Sequence, residues 1–160
     1  MSKIAVVTGA SSGLGREFVV QISEKYKTID EIWVIARRAE RLYALEREIE
    51  GKKIIVLPLD ITKQEDLEAY KKMLAKEHPW VRVLVHAAGY GIMGHVEDVV
   101  CEELTGMIDV NCKALVAMTK ITLPYMKEQS NIINIASSAA YLPQPSFAVY
   151  AATKSMVRSF

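Results

Sequence analysis

A tyrosine and a lysine stand four residues apart near the end of the 160-residue sequence, in the segment VYAATKSMVRSF. Residues at this spacing are neighbours on a helix, so Tyr150 and Lys154 can face one ligand. A free phenol has a pKa of about 10 and is a poor base at neutral pH, but a nearby ammonium group favours the phenolate. The pair therefore predicts that Tyr150 can give a proton to a bound ligand or take one from it. The alternative is a half-buried aromatic residue with its hydroxyl group in water.

Three glycines follow the first apolar run, in the segment TGASSGLGR that begins at Thr8. Gly9, Gly13 and Gly15 lie where a buried strand would give way to a helix, and glycine permits a tight turn and close backbone approach. The start of that helix would offer free N–H groups and a partial positive charge to a phosphate. The spacing is not G-x-G-x-x-G, no Lys-Ser/Thr pair of a nucleotide hydrolase follows, and glycines also punctuate ordinary strand–helix turns. We expect the pyrophosphate of a dinucleotide here.

The end of the second predicted strand bears on which dinucleotide is bound. About 20 residues beyond such a turn, an acidic residue normally holds the ribose 2′-hydroxyl of NAD. Here the segment reads IARR and contains no carboxylate. Arg37 can instead pair with a 2′-phosphate, which predicts NADP(H) in preference to NAD(H). Surface arginines at a solvated helix start are the alternative.

The pattern of apolar residues indicates the strands and helices that would hold the candidate functional residues in place. Five runs rich in valine and isoleucine are apolar on both faces, as strands of a parallel sheet covered by helices should be: 4–8, 32–36, 54–59, 81–87 and 132–136. Helical periodicity occupies 14–26, 38–50, a segment that begins at a Thr62–Glu65 capping box, and 103–127, which Pro124 should kink or shorten. The alternation predicts a doubly wound α/β fold of the Rossmann type, with strand order 3-2-1-4-5, in a single domain over 1–160.

Composition narrows the class of protein. A net charge of +1 gives no reason to expect a nucleic acid or an anionic membrane as partner. No apolar stretch approaches the ~20 residues that span a bilayer, and the N-terminus is not a secretory signal. Cys101 and Cys112 are expected to be buried free thiols, and no metal site is expected. The sequence therefore predicts a soluble, cytoplasmic protein.

Taken in order, the motifs resemble those of the short-chain dehydrogenase/reductase family. The segment TGASSGLG resembles the family turn TGxxxGxG, and Tyr150 to Lys154 match Y-x-x-x-K. The segment DIT, which begins at Asp60, resembles the acidic motif at the adenine end of the cofactor. Asn111 falls where the family has an active-site asparagine, and Ser137 precedes the tyrosine by thirteen residues.

One motif departs from the family pattern. The segment HAAG at 86–89 stands where N-N-A-G is usual. The alanine and glycine that let the backbone pass close to the cofactor remain, but both amide side chains are absent. Their sheet-tying hydrogen bonds must be replaced or lost, and we interpret His86 as a structural substitute and not a catalyst.

The resemblance implies hydride transfer between a nicotinamide cofactor and an alcohol or carbonyl substrate. Tyr150 would be the general acid/base, and Lys154 would also hold the nicotinamide ribose. Ser137, with Ser138 as the alternative, would hydrogen-bond the substrate oxygen, and Asn111 would anchor a water in the proton relay. The implied cofactor contacts are Gly9, Ser11, Ser12, Gly13, Leu14, Gly15, Arg37, Asp60, Ile61, Ala88, Gly89, Tyr150 and Lys154.

The C-terminal end raises a second hypothesis. Family members typically continue beyond the Y-x-x-x-K helix, and only five of the six strands of a doubly wound dinucleotide fold are predicted here. The domain is therefore expected to be incomplete at its C-terminal side. The rival function is a non-catalytic nucleotide-binding fragment, or a regulatory or interaction module, that lacks the substrate-binding region. The resemblance also implies a homo-oligomer formed through the helices 103–127 and 149–160.

Overall fold

Five parallel strands form the centre of the molecule: β1 (Lys3–Thr8), β2 (Glu31–Ile35), β3 (Lys53–Leu57), β4 (Trp80–His86) and β5 (Asn131–Asn134). In the computed structural model, which describes all residues from 1 to 160, they lie in the order β3-β2-β1-β4-β5. This confirms the predicted Rossmann-type sheet. The strand order reverses between β1 and β4, and the carboxyl ends of these two strands flank the crevice where such sheets bind ligands.

Six α-helices connect or follow the strands: α1 (Gly13–Lys25), α2 (Ala39–Glu48), α3 (Gln64–Glu77), α4 (Cys101–Ile108), α5 (Leu115–Thr122) and α6 (Ala148–Ser159). The helix predicted at 103–127 is interrupted, because a π-helical segment, Asp109–Ala114, separates α4 from α5. Its end is shortened as expected, since Pro124 lies in a 3₁₀ turn, Leu123–Tyr125, that follows α5. None of the helices is both long and apolar enough to cross a membrane.

Both faces are covered along β1 to β4, which explains why these strands are continuously apolar, whereas Ile132 of the edge strand β5 is exposed. One buried cluster joins α1 and α2 to the sheet and includes Val19, Leu42, Val7 and Val34. The other joins α3 and α5 to the opposite face and includes Leu67, Tyr70, Val6, Trp33 and Met118. Helices therefore pack on both sides of the central strands, and the loops at the carboxyl ends of these strands are left to form a site.

Two local predictions are wrong. Thr62 does not cap α3: the residue before the helix is Lys63, which makes no capping hydrogen bond, and the N–H and hydroxyl of Thr62 donate to Asp60 Oδ1 at 3.1 and 2.7 Å. Asp60 thus forms a turn with the residue two positions further along, and this turn engages the Thr62 hydroxyl that was expected to cap the helix. Cys101 is exposed instead of buried, because it lies at the start of α4, while Cys112 is half-buried; both are free thiols.

Candidate active site

A cavity of about 630 Å³ opens at the carboxyl ends of β1, β2 and β4. Its walls contain most of the residues predicted to contact a cofactor: Gly9, Ser11, Ser12, Gly13, Leu14, Arg37, Asp60, Ile61, Ala88, Gly89, Tyr150 and Lys154. Gly15 is buried and does not line the cavity. Asn111 and Ser137 are also outside the lining, although Val110 and Ala136, next to them in sequence, belong to it. The volume is within the usual range for small-molecule sites, about 300–1,000 Å³.

The glycine turn is packed against the loop that follows β4. Gly9 has a φ of +68°, and a Cβ atom at this position would lie 2.6 Å from the backbone nitrogen of Ala88. A Cβ on Gly15 would in turn overlap the carbonyl oxygen of Gly9. Real Cβ atoms do not approach backbone atoms this closely, so the turn takes this shape only without side chains at these two positions.

The first turn of α1 is left open towards the cavity. Ser12 precedes the helix but makes no capping hydrogen bond. Instead, the guanidinium of Arg38 donates to the hydroxyl oxygens of Ser11 and Ser12, at 3.0 Å each. The first N–H groups of a helix have no partner within it and are suited to an anion. Arg38 was not predicted from the sequence to be a cofactor-binding residue, and only its position next to Arg37 pointed to such a role.

An ionised carboxylate lies on the wall that also carries Arg37. Burial alone would raise the pKa of the Asp60 carboxyl, but hydrogen bonds from Thr62 and the positive charges of Arg37 and Lys63 leave it below its ordinary value. The N–H of Asp60 also donates to Asp66 Oδ2 at 2.7 Å, which holds the segment against the start of α3. This part of the cavity therefore presents a fixed negative charge beside an exposed arginine.

Tyr150 and Lys154 lie one turn apart on α6 and both line the cavity. Lys154 Nζ is 5.8 Å from the centroid of the Tyr150 ring and donates to the carbonyl oxygen of Ile135 at 2.7 Å. Lys154 is buried, and this burial lowers its pKa below the ordinary value of a lysine. The structure thus brings a phenol and a partly desolvated amine to one wall of the cavity.

Asn111 lies in the π-helical segment, buried behind the cavity wall. Its Nδ2 donates to the carbonyl oxygen of Tyr90 at 2.9 Å and to Thr153 Oγ1 at 3.0 Å, while its Oδ1 accepts from the N–H of Tyr90 at 3.1 Å. The Thr153 hydroxyl in turn donates to the carbonyl oxygen of Tyr150 at 2.7 Å. The side chain of Asn111 therefore ties the loop after β4 to α6. Sequence reasoning did not single out Thr153, although it is the residue before Lys154.

Ser137 stands before a short 3₁₀ turn, Ser138–Ala140, and is half-buried. Its Oγ accepts from the N–H of Ala139 at 3.2 Å, so the serine caps this turn. That bond uses a lone pair and leaves the hydroxyl hydrogen free for another acceptor. Ser138, by contrast, is exposed and is the first residue of the turn.

His86 faces α5 and does not line the cavity. One of its ring nitrogens, Nε2, is 2.9 Å from Thr119 Oγ1, and burial lowers the pKa of His86 to about 4. Nearby, the Thr8 hydroxyl donates to the carbonyl oxygen of Val85 at 3.3 Å and accepts from the N–H of Ala88 at 3.2 Å. These bonds tie β4 to α5 and to β1, which agrees with a structural interpretation of His86.

We expect the free energy of unfolding to fall as the pH drops from about 6.5 towards 4. In this range the histidine binds a proton in the unfolded chain but not when it is buried as His86. The contribution of neutral His86 to the free energy of unfolding is therefore complete above pH 6.5 and is lost as the pH falls through about 4. The loss amounts to roughly 3 kcal/mol, because the pKa of this histidine is 6.5 in the unfolded chain and about 4 in the folded protein. Urea unfolding of wild type and His86→Gln at neutral and acidic pH measures it, with exposed His95→Gln as the control. An acid sensitivity equal in the two variants would contradict the prediction.

Known proteins are similar to this chain over almost its whole length. Residues 3–160 match the family model described as short chain dehydrogenase. An uncharacterized oxidoreductase of Staphylococcus aureus strain MRSA252 is 31% identical over 159 residues, which are 98% of this chain and 68% of that protein. A similar uncharacterized oxidoreductase of Staphylococcus saprophyticus is 33% identical over 159 residues, 98% of this chain and 63% of that protein.

Solved structures of dehydrogenases are also similar to this chain. The closed form of a serine dehydrogenase complexed with NADP⁺ has a TM-score of 0.87 and 34% identity, over 98% of this chain and 63% of that one. A serine dehydrogenase from Escherichia coli has the same TM-score and identity, over 98% of this chain and 72% of that one. The chain thus spans roughly two thirds of the length of these relatives. Because the family model covers nearly the whole sequence and the strand order is the one predicted for a Rossmann-type sheet, the chain belongs to the short-chain dehydrogenase family.

Proposed function

We propose that this chain provides the cofactor-binding and proton-transfer site of an oxidoreductase that acts on an alcohol or carbonyl compound with NADP(H). The observation that carries the proposal is that Tyr150 and Lys154 share one cavity with the glycine turn and Arg37. A purely structural tyrosine and lysine would have no reason to lie beside a turn that is adapted to phosphate.

The residues of the cavity fit a nicotinamide dinucleotide. The turn at Gly9 has no room for a Cβ atom, and the open first turn of α1 is suited to a pyrophosphate. Arg37 and Arg38 are exposed at the rim and offer positive charge to a 2′-phosphate, while Asp60 lies on the wall expected at the adenine end. When bound, the cofactor would donate or accept the hydride. One of the related serine dehydrogenases was solved with NADP⁺, which supports this assignment.

The chain's own residues would handle the proton. In reduction, the Tyr150 hydroxyl would donate its proton to the carbonyl oxygen, and in oxidation the phenolate would take a proton from the alcohol. The Lys154 ammonium would favour the phenolate and hold a ribose hydroxyl. Ser137 has a free hydroxyl hydrogen with which to bind the substrate oxygen. Both amide hydrogens of Asn111 are engaged, so a relay water at this residue would bind to its side-chain or main-chain oxygen.

The decisive experiment follows the oxidation of NADPH by its absorbance, with a panel of aldehydes and ketones, and the reverse reaction with alcohols. The two related serine dehydrogenases make serine the first alcohol to test. Turnover with at least one compound supports the proposal. The rival function, a nucleotide-binding module without catalysis, predicts cofactor binding with no turnover in any of these assays.

Arg37→Ala should weaken NADP(H) binding at least tenfold and change NAD(H) binding less than about twofold. A charge-assisted hydrogen bond contributes about 1.5–3 kcal/mol, which corresponds to roughly 10–100-fold in affinity. Titration calorimetry with both cofactors measures the two affinities. Arg41→Ala is the matched control, because Arg41 is an exposed arginine of α2 that does not line the cavity. Equal affinity of the wild type for NADP(H) and NAD(H), or unaltered NADP(H) binding by Arg37→Ala, would rule out this role.

A further inference from the structure

We propose that Gly91 and Phe147 are positioning residues that hold the ring of Tyr150 in the orientation required for proton transfer. The proposal rests on the function proposed above, because it assigns the phenol of Tyr150 a chemical task. Neither residue lines the cavity, and neither belongs to the motifs that the sequence analysis singled out.

Phe147 packs directly on the tyrosine from the start of α6. The centroids of the two rings are 4.4 Å apart and their planes are inclined by 33°. Aromatic pairs at such distances stabilise each other by about 0.5–1.5 kcal/mol beyond the area they bury. Because Phe147 is the residue immediately before the helix, this contact holds the ring close to the first turn of α6.

Gly91 contacts the same ring from the loop between β4 and α4. A Cβ atom at this position would lie 2.7 Å from Tyr150 Cδ2, 3.0 Å from Tyr150 Cε2 and 3.0 Å from Phe147 Cζ. The first two atoms form one edge of the phenol, and Cε2 is bonded to the carbon that carries the hydroxyl. Both rings therefore occupy the space beside Gly91 that a side chain would need, and any larger residue would displace at least one of them.

The loop cannot easily move away, since it is anchored on both sides of Gly91. On one side, the N–H and the carbonyl oxygen of Tyr90 both bond to the side chain of Asn111. On the other side, the N–H of Gly94 donates to the carbonyl oxygen of Ser146 at 2.8 Å. The glycine is thus held at a fixed place between the π-helical segment and the residue before Phe147.

These contacts determine where the phenol oxygen of Tyr150 points. Tyr150 is only half-buried, so without these contacts its ring would be free to swing towards the open side of the cavity. A displacement of about 1 Å at a reacting group can reduce the rate about 100-fold. Gly91 and Phe147 together limit this swing without touching the reacting atoms.

The test compares Gly91 with a glycine that lies far from Tyr150. Gly91→Ala should lower kcat for NADPH-dependent carbonyl reduction about 10–100-fold and shift the pH profile of kcat, with KM and NADPH affinity within about twofold of wild type. Gly51→Ala is the control, because Gly51 also has a strained backbone, with a φ of +73°, but lies between α2 and β3 and does not line the cavity. We expect this variant to keep kcat within about threefold. Phe147→Ala should also lower kcat, because it removes the ring on which Tyr150 packs.

A second measurement does not depend on turnover. Proteins labelled with ¹³C in the tyrosine rings are compared by NMR, with Tyr150→Phe identifying the Tyr150 resonance. Gly91→Ala should shift this resonance, whereas Gly51→Ala should leave it in place. If the wild type binds NADPH but shows no turnover, the proposed catalytic function fails. An unshifted Tyr150 resonance in Gly91→Ala would separately overturn the proposed contact between Gly91 and Tyr150. Equal losses of kcat in Gly91→Ala and Gly51→Ala, or a loss of NADPH binding in Gly91→Ala, would overturn the positioning role.

Discussion

Tyr150→Phe is expected to reduce NADPH-dependent carbonyl reduction by about 10²–10⁴-fold, the usual contribution of a general acid or base. The change removes only the hydroxyl group, so the ring still packs on Phe147 and against Gly91. The affinity for NADPH should therefore stay within about twofold of wild type. Single-turnover measurements with saturating NADPH report the chemical step, and cofactor fluorescence reports binding.

Tyr141→Phe provides the matched control for this result. Tyr141 is also a tyrosine close to α6, but 71% of it is exposed and it does not line the cavity. Removing its hydroxyl should leave the rate unchanged. A Tyr150→Phe protein that keeps more than about a tenth of the wild-type rate would show that another group supplies the proton, and the proposed role of Tyr150 would be wrong.

Gly9→Ala is expected to lower the free energy of unfolding by about 3 kcal/mol and to abolish detectable NADP(H) binding. Two costs combine at this position. The left-handed backbone, at a φ of +68°, disfavours a side chain, and the new Cβ would lie 2.6 Å from Ala88 N and 2.8 Å from the carbonyl carbon of Ala87. Backbone atoms cannot rotate aside, so the turn and the loop after β4 would have to separate.

Gly13→Ala isolates the first of these costs. Gly13 also has a positive φ, +56°, but an added Cβ would meet no atom within 4 Å. We expect it to lower the free energy of unfolding by only about 1 kcal/mol, the cost of the left-handed conformation alone. Urea denaturation of both variants measures the difference. If the two variants lose equal stability, close packing is not what requires glycine at position 9.

The fold could be predicted because its signals are local. Each strand is a short apolar run, and all five begin one residue before the predicted start. The strand predicted at 54–59 stops at Leu57, because Pro58 has no N–H to donate to the sheet. The glycine turn, the Tyr–Lys spacing and Arg37 were likewise visible, since each depends on residues that are close together in the chain.

The contacts that hold these groups in place could not be predicted from local patterns. Arg38 bonds to serines that are 26 and 27 residues away, and the amide of Asn111 reaches Thr153 across 42 residues. Such partners are determined by how the helices pack on the sheet, which no short segment records. The π-helical segment also has no distinct composition, and it was predicted as ordinary α-helix.

That π-helical segment sets the rotational phase of the long helix that begins at Cys101. On its N-terminal side, Met107 accepts from the N–H of Ile92 in the loop, and on its C-terminal side Thr119 meets His86 in the sheet. An α-helix turns by about 100° per residue, so a one-residue deletion within the segment would rotate one half relative to the other by that angle. Met107 and Thr119 could then not both keep their partners. A deletion is therefore costly here even when the residue removed, unlike Val110, does not line the cavity.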